Sequence, residues 1–336
     1  MLYRKFIYRG TKKILIMQSV KKKIKSVYNI SRDKLDRYYG EAKMNMRKGF
    51  LKQGHIVRYH NGEQGNEVIR TSLESPDPTM VARYGLYELK VVAGVLLNKP
   101  HLVENTFFNL CNNAGFFPPN LSLLDRFVDV YISATKQIDC FAVWNYRHGL
   151  WGEEQHVFGV SQENTKLIDI DALNFFKHDI PWTYGLKNKK ILVIHPFTKT
   201  INLQYYNKRK ELFSNPRTLP EFAGLESVTA VQSAAGAGTR FANWFDALES
   251  MKDEVSYIDF DIALIGAGAY GLPLAAHVKN MGKKAIHMGG VSQVLFGIKG
   301  KRWQSNYGYL FNSAWVHPDE SETPQDAERV DGGCYW

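Results

Sequence analysis

Between residues 184 and 303 the chain alternates short apolar runs with amphipathic stretches. Lys190–Ile194 reads as a strand and Ile201–Phe213 as a helix. Ser227–Gln232 reads as a strand, followed by a helix over Thr239–Lys252 with Phe241, Trp244, Phe245 and Leu248 on one face. A strand at Ile262–Ile265, a helix from Leu272 and a strand at Lys284–Met288 complete the series. Strands separated by helical stretches of this length predict parallel βαβ units with helices on both sheet faces. Upstream, a strand near Met80–Tyr84, helices around Tyr87–Leu97 and Leu121–Thr135, and a strand at Cys140–Trp144 extend the pattern. The fold class expected is α/β: a Rossmann-like, doubly wound, mostly parallel sheet.

The N-terminal segment is different. Ile16, Val20, Ile24 and Val27 recur at helical spacing among lysines, and Met1–Phe50 carries 15 Lys and Arg against Asp33, Asp36 and Glu41. With a net charge of +10 over 336 residues, the remaining chain is therefore close to neutral. A basic arm on a neutral body suits an anionic membrane surface. It argues against nucleic acid as the partner of the folded part. The domain division expected is a basic helical arm over 1–54, an α/β catalytic domain over 55–303 with a possible split near 184, and a loop-like tail over 304–336. The apolar run Ile14–Met17 is too short for a signal peptide, and no apolar run is long enough to span a bilayer. Cys111, Cys140 and Cys334 show no C-x-x-C spacing, which fits a reducing cytoplasm and argues against a disulfide framework. The location expected is cytoplasmic, peripheral on the inner face of the cell membrane.

Candidate chemistry lies where the strands end. Gly266, Gly268 and Gly271 follow the strand Ile262–Ile265 in G-x-G-x-x-G spacing, with Tyr270 among them and Pro273 in the first helical turn. Such a turn offers main-chain N–H groups to a phosphate. A dinucleotide fold would place an acidic residue about 20 positions on to hold the ribose. Here that region reads His287, Met288, Gly289, Gly290, without Asp or Glu from Ala285 to Arg302. Ligands of parallel sheets bind beyond the carboxyl ends of the strands. That rule adds His195, Ser233, His287, Gly289, Gly290 and Gln293. The segment that follows supplies Lys299 and Arg302 to counter a diphosphate and Trp303 to stack on a base or sugar. Trp144, Tyr146, His148 and Trp151 form an aromatic run suited to a sugar site or to a core.

The segment Ala82-Arg83-Tyr84-Gly85-Leu86-Tyr87-Glu88-Leu89 resembles the R-[FY]-G-D-G-E segment of the GT-D-type glycosyltransferases, bacterial enzymes of surface glycan and glycoprotein synthesis. Ile262–Lys279 with Lys284–Gly290 is similar to that family's late glycine-containing unit, and Lys189–Phe213 resembles its strand–loop–helix. The segments VIHPF, AVQSAAG and LFGIKGKRW are similar to proteins of polysaccharide-biosynthesis loci. The resemblance implies transfer of a sugar from a nucleotide-sugar donor to a glycan or glycoprotein acceptor, without a tightly bound organic cofactor. It implies sugar or nucleotide contacts at Arg83 and Gly85, catalysis by Glu88 with His195 as second candidate base, and Mn²⁺ or Mg²⁺ held through Glu88. The chain departs from the family at Leu86, where the first acid of the D-x-E pair would stand. Two other readings stay open: an NAD(P)- or flavin-linked oxidoreductase, and a non-catalytic sugar-nucleotide-binding partner in polysaccharide assembly.

Overall fold

The structure, a computed structural model, describes residues 49–144 and 149–336. Most of the expected basic arm, together with Tyr146 and His148, lies outside the described residues. Contacts group Phe50–Trp336 into one compact unit. At its start β1 (Phe50–Lys52) and β2 (His55–Val57) form an antiparallel hairpin, so the boundary expected at residue 54 falls inside a turn.

The main sheet uses β3 (Tyr59–His60), β4 (Met80–Arg83), β5 (Cys140–Val143), β6 (Lys166–Asp169), β7 (Lys190–His195), β8 (Gly224–Thr229), β9 (Ile262–Ile265) and β10 (Lys284–His287). Its order is β3-β6-β5-β4-β10-β9-β7-β8, and every pairing is parallel. This is the expected α/β architecture. The sheet runs across the division expected near 184.

Period-two alternation along each strand feeds two cores. Val81, Ile191, Val193, Ile262 and Leu264 point to one face, where Ile69, Leu73, Ile201 and Tyr205 cover them. Ala82, Leu192, Ile194, Ala263 and Ile265 point to the other, against Leu89, Phe127, Trp244, Leu248 and Leu274. Both faces are dry, which explains why these strands read as apolar runs.

Several boundaries moved for local reasons. The helix expected from Thr239 begins at Trp244, because the Asn243 side chain accepts from the Phe245 and Asp246 N–H groups as an N-cap. Phe241 therefore precedes the helix. The strand expected at Ser227–Gln232 is Gly224–Thr229, and Val231 to Ala234 turn instead along a cavity. Three long helices escaped the sequence pattern, Gly62–Glu74, Pro100–Ala114 and Trp151–Val160, as did the short Val291–Leu295 and Lys301–Tyr307; of the long ones, the third is the least marked. Trp151–Val160 has apolar residues on every side, so no amphipathic stripe marks it.

The helix Lys301–Tyr307 crosses the boundary expected at 303, and the chain beyond it has only short helical turns yet is firmly packed. Trp315 is buried, and the Glu322 carboxylate accepts from the Lys199 N–H (2.7 Å), the Thr200 N–H (3.2 Å) and the Thr200 hydroxyl. A buried acid on the first turn of the helix Thr198–Lys208 satisfies open main-chain donors there and complements the helix dipole. Among the described residues, no helix is long and apolar enough to cross a membrane.

Candidate active site

Four adjacent strands, β4, β10, β9 and β7, deliver Arg83, His287, Gly266 and His195 to one edge of the sheet. From that region β4 connects outward to β5 and β7 connects the opposite way to β8, leaving a crevice between diverging connections. A cavity of about 760 Å³ occupies it. Of the expected site residues, Arg83, Gly85, Glu88, His195, Ser233, Gly266, Gly268, Tyr270, His287, Gly289, Gly290, Gln293, Arg302 and Trp303 line this cavity. Gly271 and Lys299 do not.

Glu88 sits in the first turn of the helix Leu86–Leu96 and is 5 % exposed. Its carboxylate presses against Gly85, where any Cβ would collide with it. Burial pushes its pKa above the ordinary carboxylate range. The Glu88 main-chain N–H, the Arg83 charge and the Tyr87 N–H oppose that rise, while the charge of Asp331 adds to it. A buried carboxylate of raised pKa is a good proton acceptor near neutral pH.

His195 Nδ1 accepts from the Phe197 N–H at 2.9 Å. Burial holds its pKa down to about 3, so the ring is neutral and its proton sits on Nε2. His195 is thus a hydrogen-bond donor to the cavity, and the expectation that it serves as a base is set aside. His287 is also neutral, its pKa held at about 3 by burial and then by the Arg83 charge. Its ring fills the space that Gly271 leaves by lacking a Cβ.

The glycine turn borders the cavity, yet its glycines answer first to packing. The Gly266 N–H donates to Ile194 O at 2.9 Å, so the expected use of that amide for a phosphate is overturned. A Cβ there would meet His195 Cδ2 at 2.7 Å and Gly289 O at 2.9 Å. Gly268 has φ +51° and faces Ala114 O, a position that only glycine fills without strain. The Ser233 hydroxyl donates to Gly115 O (2.6 Å) and pairs with Tyr270 Oη (2.9 Å), which ties the loop after β8 to the turn after β9. Both hydroxyls hold the wall together.

Gln293 and Trp303 change role as well. The Gln293 amide donates to Lys299 O and Tyr335 O, both at 2.7 Å, and accepts from Trp303 Nε1 at 2.9 Å. Trp303 stacks on Tyr307 (5.8 Å, 8°), so one ring face is already covered. Lys299 instead donates its main-chain N–H to Val316 O, alongside the bridge from Ile298 to Val316.

The sequence pattern missed the wall made by the C-terminal segment. Asp331 accepts from the Tyr87 hydroxyl (2.8 Å) and from Arg302 Nη2 (3.2 Å), while Arg302 Nη1 donates to Tyr335 Oη (2.9 Å). Tyr335 and Trp336 line the cavity. Asp331 stands among turn glycines, with nothing in its sequence neighbours to single it out. Of the aromatic run, Trp144 lines the cavity and its Nε1 donates to Tyr84 O at 3.0 Å. Trp151 packs edge-on against Phe50 (5.9 Å) and is half-buried at the margin of the core.

The residues do not fit the expected Mn²⁺ or Mg²⁺. Such ions take about six oxygens, one or two of them from free carboxylates and the rest from water and substrate phosphates. Leu86 supplies none, Glu88 faces helix amides and Arg83, and Asp331 is paired with Arg302. No group of three His, Cys, Asp or Glu among the described residues is arranged to hold a metal ion.

No family model matches the chain, and no curated protein does. Among solved structures, one described as a new glycosyltransferase from Streptococcus sanguinis, of the domain of unknown function 1792, aligns at 11% identity and a TM-score of 0.44. It covers 79% of this chain and 96% of its own. Another, described as showing that this domain has a distinct glycosyltransferase fold, aligns at 10% identity and a TM-score of 0.42, over 79% and 92%. A selenomethionine-substituted structure of the same domain gives 10% and 0.41 over the same shares. At these TM-scores the likeness decides neither fold nor activity, and the sheet order stands on its own.

Proposed function

We propose that the protein transfers a glycosyl group from a nucleoside-diphosphate sugar to a hydroxyl acceptor. One observation carries this reading. A single cavity brings together a buried carboxylate (Glu88), two guanidinium groups (Arg83 and Arg302) and a neutral imidazole donor (His195) between aromatic walls. Its volume falls in the range of small-molecule sites, about 300–1,000 Å³. In the reaction, the acceptor oxygen bonds to the anomeric carbon as the bond from that carbon to the phosphate oxygen breaks. The bonding pair leaves with the diphosphate, whose growing charge faces the arginines and the His195 Nε2–H. Glu88 takes the acceptor proton. Tyr87, Trp144 and Trp336 offer ring faces or edges to sugar or base.

The oxidoreductase reading finds no comparable support. The strand after the glycine turn, β10, ends in His287 and is followed by Met288, without the carboxylate a dinucleotide ribose requires. Nor does a purely binding role explain a buried carboxyl of raised pKa at the cavity wall.

Thermal unfolding with UDP, GDP, CDP and NAD⁺ tests the proposal, because a ligand of the native state raises the melting temperature. At least one nucleoside diphosphate is expected to do so, and its sugar conjugate to release free diphosphate when an acceptor is present. Stabilisation by NAD⁺ alone would end the transferase reading. The finer assignment is to glycan or glycoprotein acceptors of surface polysaccharide synthesis, worked on at the cytoplasmic face of an anionic membrane. The 15 basic residues before Leu51 support the membrane part. Removing residues 1–48 should abolish sedimentation with anionic vesicles, and unchanged sedimentation would refute it.

A further inference from the structure

Arg83 stands at the carboxyl end of β4, within reach of the Glu88 charge but in ion-pair contact with no carboxylate. Its Nε donates to Tyr84 O at 3.0 Å, and its Cζ lies 4.7 Å from the Trp144 ring centre. Among the described residues no carboxylate comes within ion-pair distance of it, although Glu88 and Asp331 line the same cavity. A carboxylate could have been expected to pair with it, since a half-buried guanidinium without a partner is costly. Gly289 keeps its end accessible. A Cβ there would stand 2.9 Å from Arg83 Nη1, and the φ of +63° keeps glycine in place. Arg302 lies near enough for the two charges to repel, and its own nitrogens are held by Tyr335 and Asp331.

Two cations facing one cavity favour an anion between them. A guanidinium offers parallel N–H groups that match phosphate oxygens two at a time. Where a metal-dependent site would set acids, this chain has Leu86, a Glu88 turned to helix amides, and an Asp331 already paired.

Building on the transferase reading, we propose that Arg83, seconded by Arg302, binds the donor diphosphate directly, and that donor binding and turnover require no divalent cation. The guanidinium groups take the charge that the leaving diphosphate gains, the task a metal ion performs in sites with an acidic pair.

Calorimetric titration of the full chain tests this, with whichever of UDP, GDP or CDP stabilises it most, in excess EDTA and again in excess Mn²⁺. Equal affinity in the two conditions is expected. Arg83→Gln should weaken binding about 10–100-fold, Arg83→Lys should recover part of the loss, and Mn²⁺ should rescue neither. The wild-type comparison does not depend on how well the variants fold. Binding seen only with Mn²⁺ overturns the inference and leaves glycosyl transfer standing. Binding in neither condition removes glycosyl transfer and this inference with it. Wild-type affinity in Arg83→Gln would show that the diphosphate is held elsewhere.

Discussion

Glu88→Gln is expected to lower turnover by about 10²–10⁴-fold while donor affinity stays close to that of the wild type. The amide keeps the size of the carboxylate and still offers an oxygen to the first turn of the helix, so the wall around Gly85 is preserved. Only the capacity to take a proton goes. Because burial raises the Glu88 pKa, the acid limb of kcat/KM should lie above the ordinary glutamate range and vanish in the variant. Stability gives an independent check. A folded pKa above the unfolded one means that the contribution of Glu88 is full below the unfolded pKa and is lost as pH rises through the folded pKa. Glu88→Gln should therefore gain stability relative to the wild type as pH climbs past the ordinary carboxylate range. Unaltered turnover in the variant would retire Glu88 as the base.

Acid should unfold this protein early, and two histidines are the reason. His195 and His287, each 4 % exposed, have pKa values held at about 3 against an ordinary 6.5. Here the folded pKa is depressed, so the stabilising contribution is present above the unfolded pKa. It is lost as pH falls from 6.5 toward about 3. Each ring should withdraw about 1.4 kcal/mol of stability per pH unit once the unfolded chain begins to protonate. Two rings together exhaust a typical margin of about 5–15 kcal/mol within a few units. Urea midpoints from pH 7.5 to 5 read this directly. His287→Asn should lower the slope, because it removes one of the two rings whose pKa is held at about 3. A flat wild-type profile over that window would contradict the buried, neutral assignment of both rings.

The strand ends were legible because β7, β9 and β10 are buried on both faces and so stand out as apolar runs bounded by polar residues. From that reading alone His195, Gly266 and His287 fall at the cavity, and Arg83 follows at the end of β4. What those groups do was less legible. The G-x-G-x-x-G spacing suggests amides held out for a phosphate, whereas Gly266 gives its amide to Ile194 and Gly271 makes room for a histidine ring. The sequence shows that a Cβ is missing, and only packing tells what fills its place. Gln293 and Trp303 are each expected at the site, one from a strand end and one for stacking, but their bond to each other joins two short helices that periodicity does not position. Asp331 was invisible for the same reason. Its importance comes from Tyr87 and Arg302, neither of which is near it along most of the chain.

Strand β10 has consequences for synthesis. It inserts between β4 and β9, in register with Met80 and Val81 on one side and Ile262 to Ile265 on the other. A chain emerging from the ribosome therefore carries Glu88 and Arg83 long before the strand that brings them against His287 and Gly289 has been made. Until translation passes β10 the two halves of the crevice have no common floor, and such late, long-range pairing forms slowly. The nascent protein has no complete cavity until then, and the site forms only when the last central strand slots into the sheet.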